Sequence, residues 1–305
     1  MAVSTIFNRN VSVIDHAYID HTGRVIGGSY QLDVDIGGNI EDNEQVVVDF
    51  SRIKKDIKEI VDGKENGFDH KLWVITGYSR ANVVFSNNSF IQTNVCNLQI
   101  PKNAVKQFEY KNSVRESAEF AIQKQLQSEL SKKYPSAKLF VKVTLTTEAF
   151  TINKKPDNWC FFSYSHGLKN SSSWGCQNVA HGHLSFVEWT HNSAYSNECK
   201  DCREGVDQLK QKIDEMNNAV FVFSENIVSE TPDEIKISYK TERGDWVASY
   251  IKEDNNIIVL PLETTIENIT NWFVSKNSDI MHKAHIKQIR ISEGLAKGAL
   301  VNLSV

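Results

Sequence analysis

Between Cys160 and Trp189 the sequence reads CFFSYSHGLKNSSSWGCQNVAHGHLSFVEW, which sets three of the chain's nine histidines, His166, His181 and His183, close to Cys176. In an extended strand residues i and i+2 point to the same side, so HGH presents two imidazoles on one face, and Gly182 leaves room behind them. His166 ends the apolar stretch CFFSYSH, and a loop rich in Gly, Ser and Asn separates it from HGH. An antiparallel return of the chain would bring it opposite the pair. Three neutral nitrogen ligands with a vacant fourth position describe catalytic zinc, whereas structural zinc normally has four protein ligands. The bland alternative is a set of surface or hydrogen-bonded histidines; a third histidine on the neighbouring strand weighs against it.

Cys176 lies on the loop leading to the expected metal. A nearby dication lowers a thiol's pKa and makes the thiolate available as a base or nucleophile. The other possibility is that Cys176 is itself the fourth ligand and closes the site. Five cysteines scattered along 305 residues do not form a disulfide framework. Cys96 and Cys160 read as core thiols. Cys199 and Cys202 of CKDC, with no second CxxC to complete a metal site, read as a loop with free thiols.

The elements that would position these residues recur along the chain. In the first half the alternating strand YQLDVDI precedes VVVDFSRIKKDIKEIV, where Phe50, Ile53, Ile57, Ile60 and Val61 share a helical face after an Asp49 cap. Further strands, a helix SVRESAEFAIQKQLQSEL and a strand KLFVKVTLTTEAF follow. In the second half HLSFVEW precedes GVDQLKQKIDEM, with Val206, Leu209, Ile213 and Met216 on one face. The strands EIKISYK and WVASYIK, the helix TTIENITNWF and the strand HIKQIRISEG follow. Strand, helix, strands, helix, strand occurs twice, the mark of a degenerate tandem duplication. Alternating strands imply antiparallel sheets with one face covered by two helices, an α+β fold. The polar NKKPDN, with its helix-breaking proline, puts the boundary near residues 154–158, giving units 1–155 and 156–305. Ser113 with Glu116, and Thr264 with Glu267, have the spacing of a capping box, which accounts for both glutamates without any ligand.

Charged residues make up 24% of the chain and hydrophobic ones 40%, and the formal net charge is −4. These values describe a soluble globular protein with no basic field for nucleic acid. No apolar run approaches the length of a membrane span, and MAVSTIFNRNVSVIDH lacks the pattern of a signal peptide, so a cytoplasmic setting is expected.

Taken together, FSYSHGL, C-x4-HGH, TTIEN and ISEG in the second half, and GGSYQLDV, VVVDFSRIK, FDHKL and TTEAF in the first, resemble the 6-pyruvoyl tetrahydropterin synthase and 6-carboxytetrahydropterin synthase family. The resemblance implies the tunnelling fold, an antiparallel sheet with two helices per module, the modules closing into a barrel. A chain of two such modules would assemble as a homo-oligomer, most simply a trimer. It further implies zinc on His166, His181 and His183, with Cys176 as the catalytic cysteine. The family's Asp-His pair after the first helix matches Asp69 and His70 of GFDHKLW, and the second half has EMNNAVF there instead. Conversely, GGSYQL stands where the second half has HGHLSF, so the first half has lost the metal pair and keeps His16 as an orphan. Family members build the site from the cysteine of one subunit and the Asp-His pair of another; a fused chain would divide these roles between its halves. The glutamates Glu293 and Glu267 correspond to residues at the family's pterin site, where a carboxylate accepts paired N–H bonds from the 2-aminopyrimidinone edge. Glu293 is the better anchor, and Glu148 is its counterpart in the first half. The implied activity is a zinc-dependent lyase reaction on 7,8-dihydroneopterin triphosphate, with a 6-carboxy- or 6-pyruvoyl-tetrahydropterin product and the carboxy type, the entry to 7-deazaguanine (queuosine) synthesis, favoured. A non-catalytic scaffold, or another zinc enzyme on a pterin or purine, are the competing expectations.

Overall fold

The computed structural model describes residues 4–40, 45–85, 88–147, 158–196, 198–295 and 297–303. Glu148 and most of NKKPDN lie outside the described residues. The long strand β1 (Ser4–Ile19) folds back antiparallel on β2 (Val25–Gly38), and α1 (Phe50–Val61) carries the chain across to β3 (Lys71–Thr76), which runs parallel to β1. After the short strands β4 (Asn82–Phe85), β5 (Asn88–Gln92) and β6 (Cys96–Pro101), β7 (Val105–Glu109) pairs parallel with β3. The helix α2 (Val114–Lys133) then leads to β8 (Phe140–Thr146), antiparallel to β2. The first sheet is therefore β7-β3-β1-β2-β8.

The second half opens with β9 (Trp159–His166) and β10 (His181–His191), followed by α3 (Lys200–Asp214), β11 (Ala219–Phe223) and β12 (Ile227–Glu230). The hairpin β13 (Glu234–Thr241) and β14 (Gly244–Ile251), then β15 (Asn256–Leu260), α4 (Ile266–Lys276), the short α5 (Ser278–Lys283), β16 (Ile286–Glu293) and β17 (Lys297–Asn302) complete it. These build a sheet ordered β15-β11-β9-β10-β16-β17. A third sheet, β12-β13-β14-β6-β5-β4, takes strands from both halves, joined where β14 runs antiparallel to β6.

The expectation of purely antiparallel sheets is corrected: β1–β3, β3–β7, β9–β11 and β11–β15 are parallel, so the main sheets are mixed. The helical crossovers make this possible, because a parallel return needs a long connection rather than a hairpin. Helices cover the first sheet as expected. Ile53, Ile57 and Val61 of α1 and Ala118, Ile122, Leu126 and Leu130 of α2 pack on Ile14, Leu32, Val34 and Val143. Phe50 does not join this face; it is 55% exposed at the first position of α1, whose Asp49 cap accepts from Arg52 N as expected. In the second half Leu209, Ile213, Ile269 and Phe273 cover Phe162, Tyr164, Val187 and Ile289. A third apolar cluster lies across the junction of the halves, with Leu72, Val74, Leu98 and Ile100 from one and Val179, Ala180, Val222 and Trp246 from the other.

Cys199 and Cys202 are not in a loop. Cys199 caps α3, its sulfur accepting from Cys202 N at 3.3 Å, and Cys202 is buried in the first turn. At α4 the cap is Thr265, accepting from Asn268 N, one residue later than the Thr264–Glu267 box. Thr264 instead turns inward and is fully buried. Among the described residues no helix is long and apolar enough to cross a membrane.

Two glycines set how closely the halves approach. A Cβ on Gly27 of β2 would stand 1.8 Å from the Tyr164 carbonyl oxygen, and one on Gly182 of β10 would stand 2.6 Å from Gly27 Cα. Strand backbones in contact at this distance leave no room for any side chain. The close crossing brings β1 and β2 of the first half against HGH.

Candidate active site

In the ladder between β9 and β10, His166 pairs directly with His181, and His183 with Tyr164. All three imidazoles are buried, and a nitrogen of each lies within 4.8 Å of a nitrogen of the other two. Their Nδ1 atoms face outward: that of His166 is hydrogen-bonded to the Thr264 carbonyl at 2.7 Å and that of His181 to the Asn178 carbonyl at 2.7 Å, while that of His183 lies 3.2 Å from Asp15 Oδ1 without hydrogen-bond geometry. Protons placed on Nδ1 leave the Nε2 lone pairs pointing inward. The Nε2 atoms of His166 and His183 then face each other at 3.2 Å, and His181 Nε2 is buried with no hydrogen-bond partner. Inward-facing lone pairs without donors fit a cation, and carbonyl or carboxylate partners behind ligating histidines are how metal sites fix the tautomer. Burial first, and then the neighbouring His183, pushes the pKa of His166 down to about 3, and burial holds that of His181 well below its ordinary range. Both are neutral ligands at physiological pH.

Cys176 Sγ shares a 4.8 Å neighbourhood with His70 and His181, but not with the three histidines together. Ligands of one zinc lie no more than about 4.4 Å apart, given bonds near 2.3 Å for sulfur and 2.1 Å for nitrogen. The arrangement thus disfavours Cys176 as a fourth ligand. Its partner is His70, whose Nε2 is 3.7 Å from Sγ and whose Nδ1 is 2.7 Å from Asp69 Oδ2. Asp69, His70 and Cys176 stand in line, and both halves of one chain supply them.

The line depends on unusual backbone. His70 has φ 52°, the left-handed region, and its N–H donates to the Asp15 carbonyl at 2.6 Å. A residue other than glycine held there is strained and is retained where its surroundings fix it. On the other side a Cβ on Gly175 would stand 2.5 Å from His70 Cγ, so the Cys176 loop passes against the ring only because residue 175 has no side chain. Asn178, fully buried, pins the same loop: its Nδ2 donates to the His70 carbonyl at 3.2 Å and the Ala104 carbonyl at 3.3 Å. Its own carbonyl accepts from His181 Nδ1.

Burial raises the Cys176 thiol, but the hydrogen bond and charge of His70 outweigh it and bring the pKa below the ordinary thiol value. Burial also opposes charge on His70, and there Asp69 prevails, raising the pKa well above the ordinary range. The two shifts run in opposite directions and both favour the imidazolium–thiolate form of the pair over that of the isolated groups, the direction of an activated cysteine.

A cleft of about 280 Å³ opens beside Asp69 and His70, lined also by Asp15, Asp62, Glu293 and Lys297. Glu293 ends β16 and pairs with Lys297 at 2.8 Å. Burial opposes its charge, but His183 and Lys297 hold the carboxyl below its ordinary value. Glu267 does not reach this cleft; it is exposed on the first turn of α4.

His16 is a core residue. It is stacked on Trp73 at 3.6 Å and Tyr30 at 5.1 Å between ring centroids, and burial pushes its pKa down to about 3. The ladder also shifts the expected correspondence by one residue. His16 pairs with Gly28 as His166 pairs with His181, so Tyr30, not Ser29, takes the place of His183. Asp15 and Asn178 were missed in the sequence. Their only signals were position: Asp15 precedes the counterpart of His166, and Asn178 lies between Cys176 and HGH.

No family model matches the chain, and no curated relative matches it. Among solved structures, 6-pyruvoyltetrahydropterin synthase from Plasmodium vivax is similar over 48% of this chain and 92% of its own, at 20% identity and a TM-score of 0.38. The enzyme of that name from Plasmodium falciparum is similar over 47% of this chain and 92% of its own, at 18% identity and a TM-score of 0.36. An uncharacterised protein from Wolinella succinogenes is similar over 48% of this chain and 96% of its own, at 14% identity and a TM-score of 0.31. What this chain is similar to, over about half its length, is a 6-pyruvoyltetrahydropterin synthase.

Proposed function

We propose that the chain is a zinc-dependent pterin lyase acting on 7,8-dihydroneopterin triphosphate. The observation that carries this reading is the line Asp69–His70–Cys176 beside three histidines with inward-facing Nε2 atoms. His166, His181 and His183 would hold the zinc, which when bound polarises substrate hydroxyls and lowers their pKa. Asp69 keeps His70 oriented with its proton on Nδ1. The Cys176 thiolate takes a proton from the substrate side chain, and His70 gives or receives the proton needed as the triphosphate leaves. Glu293, across the cleft, accepts N–H bonds from the 2-aminopyrimidinone edge. Glu267 enters only if a neighbouring copy brings substrate to α4.

Four residues separate Cys176 from HGH, between the three of carboxy-type and five of pyruvoyl-type members, so spacing does not select the product. The carboxy product, the entry to 7-deazaguanine synthesis, is the first to test. Units 1–155 and 156–305 would be the two modules. The main sheets end in the open strands β7 and β8, and β15 and β17, which further copies would pair to close a homo-oligomer, most simply a trimer.

Metal analysis followed by incubation with 7,8-dihydroneopterin triphosphate tests the reading, with products identified by mass. One zinc per chain and a carboxy or pyruvoyl product are expected. Zinc without turnover of this substrate would point to another zinc enzyme on a pterin or purine, and neither zinc nor turnover to a scaffold.

A further inference from the structure

Asp15 belongs to the half that lacks the HGH pair, where with Asp69 and His70 it forms a group of its own whose potential ligand atoms lie within 4.8 Å of one another. It lies on β1 immediately before His16, the counterpart of His166, and it is 4% exposed. Its Oδ1 is 3.2 Å from His183 Nδ1, an ion-pair distance without hydrogen-bond geometry, and that buried nitrogen has no hydrogen-bond partner among the described residues. The carboxylate is held in place by a relay from the opposite strand: Leu184 N donates to Ser29 Oγ at 3.1 Å, and Ser29 Oγ donates to Asp15 Oδ1 at 2.5 Å. Gly294, at φ 67°, packs over the same oxygen, where a Cβ would stand 2.5 Å away. The main chain of Asp15 is used as well. Its N–H donates to Asp69 Oδ1 at 2.9 Å, and its carbonyl accepts from His70 N at 2.6 Å.

His166 and His181 give their Nδ1 protons to neutral backbone carbonyls. Only His183 among the three faces a carboxylate. A carboxylate behind an imidazole makes the far nitrogen a stronger ligand, and it fixes the ring's orientation. In a buried site with three neutral ligands it also offsets the charge of a dication, an effect strengthened by the low local dielectric.

We infer that Asp15 is the carboxylate that tunes the metal site of the second half from the first, and that through its main chain it ties that site to Asp69 and His70. The first half would thus be a working part of the metal centre. Asp15 is a positioning residue: it acts on the metal through His183. The inference rests on the reading of His166, His181 and His183 as metal ligands.

The test uses the full-length chain stripped of metal, with zinc affinity measured by competition against a chromophoric chelator. The variants are Asp15→Asn, Ser29→Ala and, as a control, His181→Ala. Asp15→Asn keeps the main-chain bonds to Asp69 and His70 and removes only the charge. It is expected to weaken zinc binding by about 10–100-fold, and Ser29→Ala to weaken it less, in the same direction. The visible absorption of the cobalt-substituted protein should change in Asp15→Asn, which a merely structural role would leave alone. If Asp15→Asn binds zinc like the unaltered chain while His181→Ala does not, the inference is overturned and the metal assignment stands. If the unaltered chain binds zinc no better than His181→Ala, the metal assignment fails and the inference fails with it. Should Asp15→Asn not fold, Ser29→Ala decides, since unchanged affinity there also overturns the inference.

Discussion

Replacing His70 with alanine removes the ring whose Nε2 lies 3.7 Å from Cys176 Sγ. Two influences on the thiol are then separated. Burial, the larger single cause, raises its pKa, while the hydrogen bond and charge of His70 together outweigh it. Without His70 burial and the charge of Glu293 are opposed only by the hydrogen bond of Ser173, so the thiol moves upward, toward or above the ordinary value of about 8.5. At pH 7 a thiol with that value is only about 3% ionised, so the loss of ionisation lowers the reactive fraction. Loss of the acid/base partner adds to this, and turnover is expected to fall by about 10²–10⁴-fold, the usual scale for a general acid or base. The assay pairs the pH dependence of ultraviolet thiolate absorbance, with Cys176→Ala as the blank, with turnover of 7,8-dihydroneopterin triphosphate and zinc content. The acid limb of the thiolate titration should shift upward in His70→Ala, with zinc retained. An unshifted titration together with full turnover would refute the reasoning, and Asp69 and His70 would revert to being a turn.

Because the Asp69–His70–Cys176 line forms within one chain, mixing the inactive Cys176→Ala and His70→Ala proteins under proven subunit exchange should restore no activity; recovery would place the working site between chains. Gly27→Ala puts a Cβ 1.8 Å from a backbone oxygen, and since backbone cannot swing aside it should destabilise the chain by about 3 kcal/mol in denaturant melts. Asp56 takes Lys133 Nζ and Tyr134 Oη, each at 2.5 Å. Burial opposes its charge, yet these bonds hold its pKa below the ordinary value, so its contribution is present above the ordinary carboxylate pKa and is lost as pH falls through the lowered one. Asp56→Asn should therefore cost about 1–2 kcal/mol at pH 7, and the gap from the unaltered chain should close in acid.

The histidine cluster was legible because it rests on one local rule, the two-residue period of a strand, and the Nε2 convergence follows from His166 pairing with His181. Asp69 and His70 were reached through family resemblance alone. Nothing in FDHKLW shows that Gly175 and Asn178 will bring a loop from the other half against them. Asp15 was invisible for the same reason, since its role exists only where β1 meets β10. The parallel strands did leave a trace: KLWVIT is buried at five successive positions and AVFVF at all five, the continuous apolar pattern of strands covered on both faces. β1 was missed because a bulge between Asn8 and Ser12 breaks its alternation. The α4 cap was misplaced by one because adjacent threonines both suit the position, and packing against His166 chose which one turns inward.

The seam where β6 lies beside β14, with Leu98 opposite Ala248 and Gln99 opposite Val247, also governs how the molecule is made and unmade. These partners are separated by nearly half the chain, so the ladder cannot form until β14 has been synthesised and has found β6. Contacts of such long sequence separation slow folding, because the loop entropy is lost before the ladder forms. Until then β6 is an open edge beside the apolar side chains of Leu98 and Ile100, a template for pairing with the wrong chain. Once formed, the seam makes the chain cooperative. Neither half can open without exposing the edge of the other, so heat or denaturant should dissolve both in one transition.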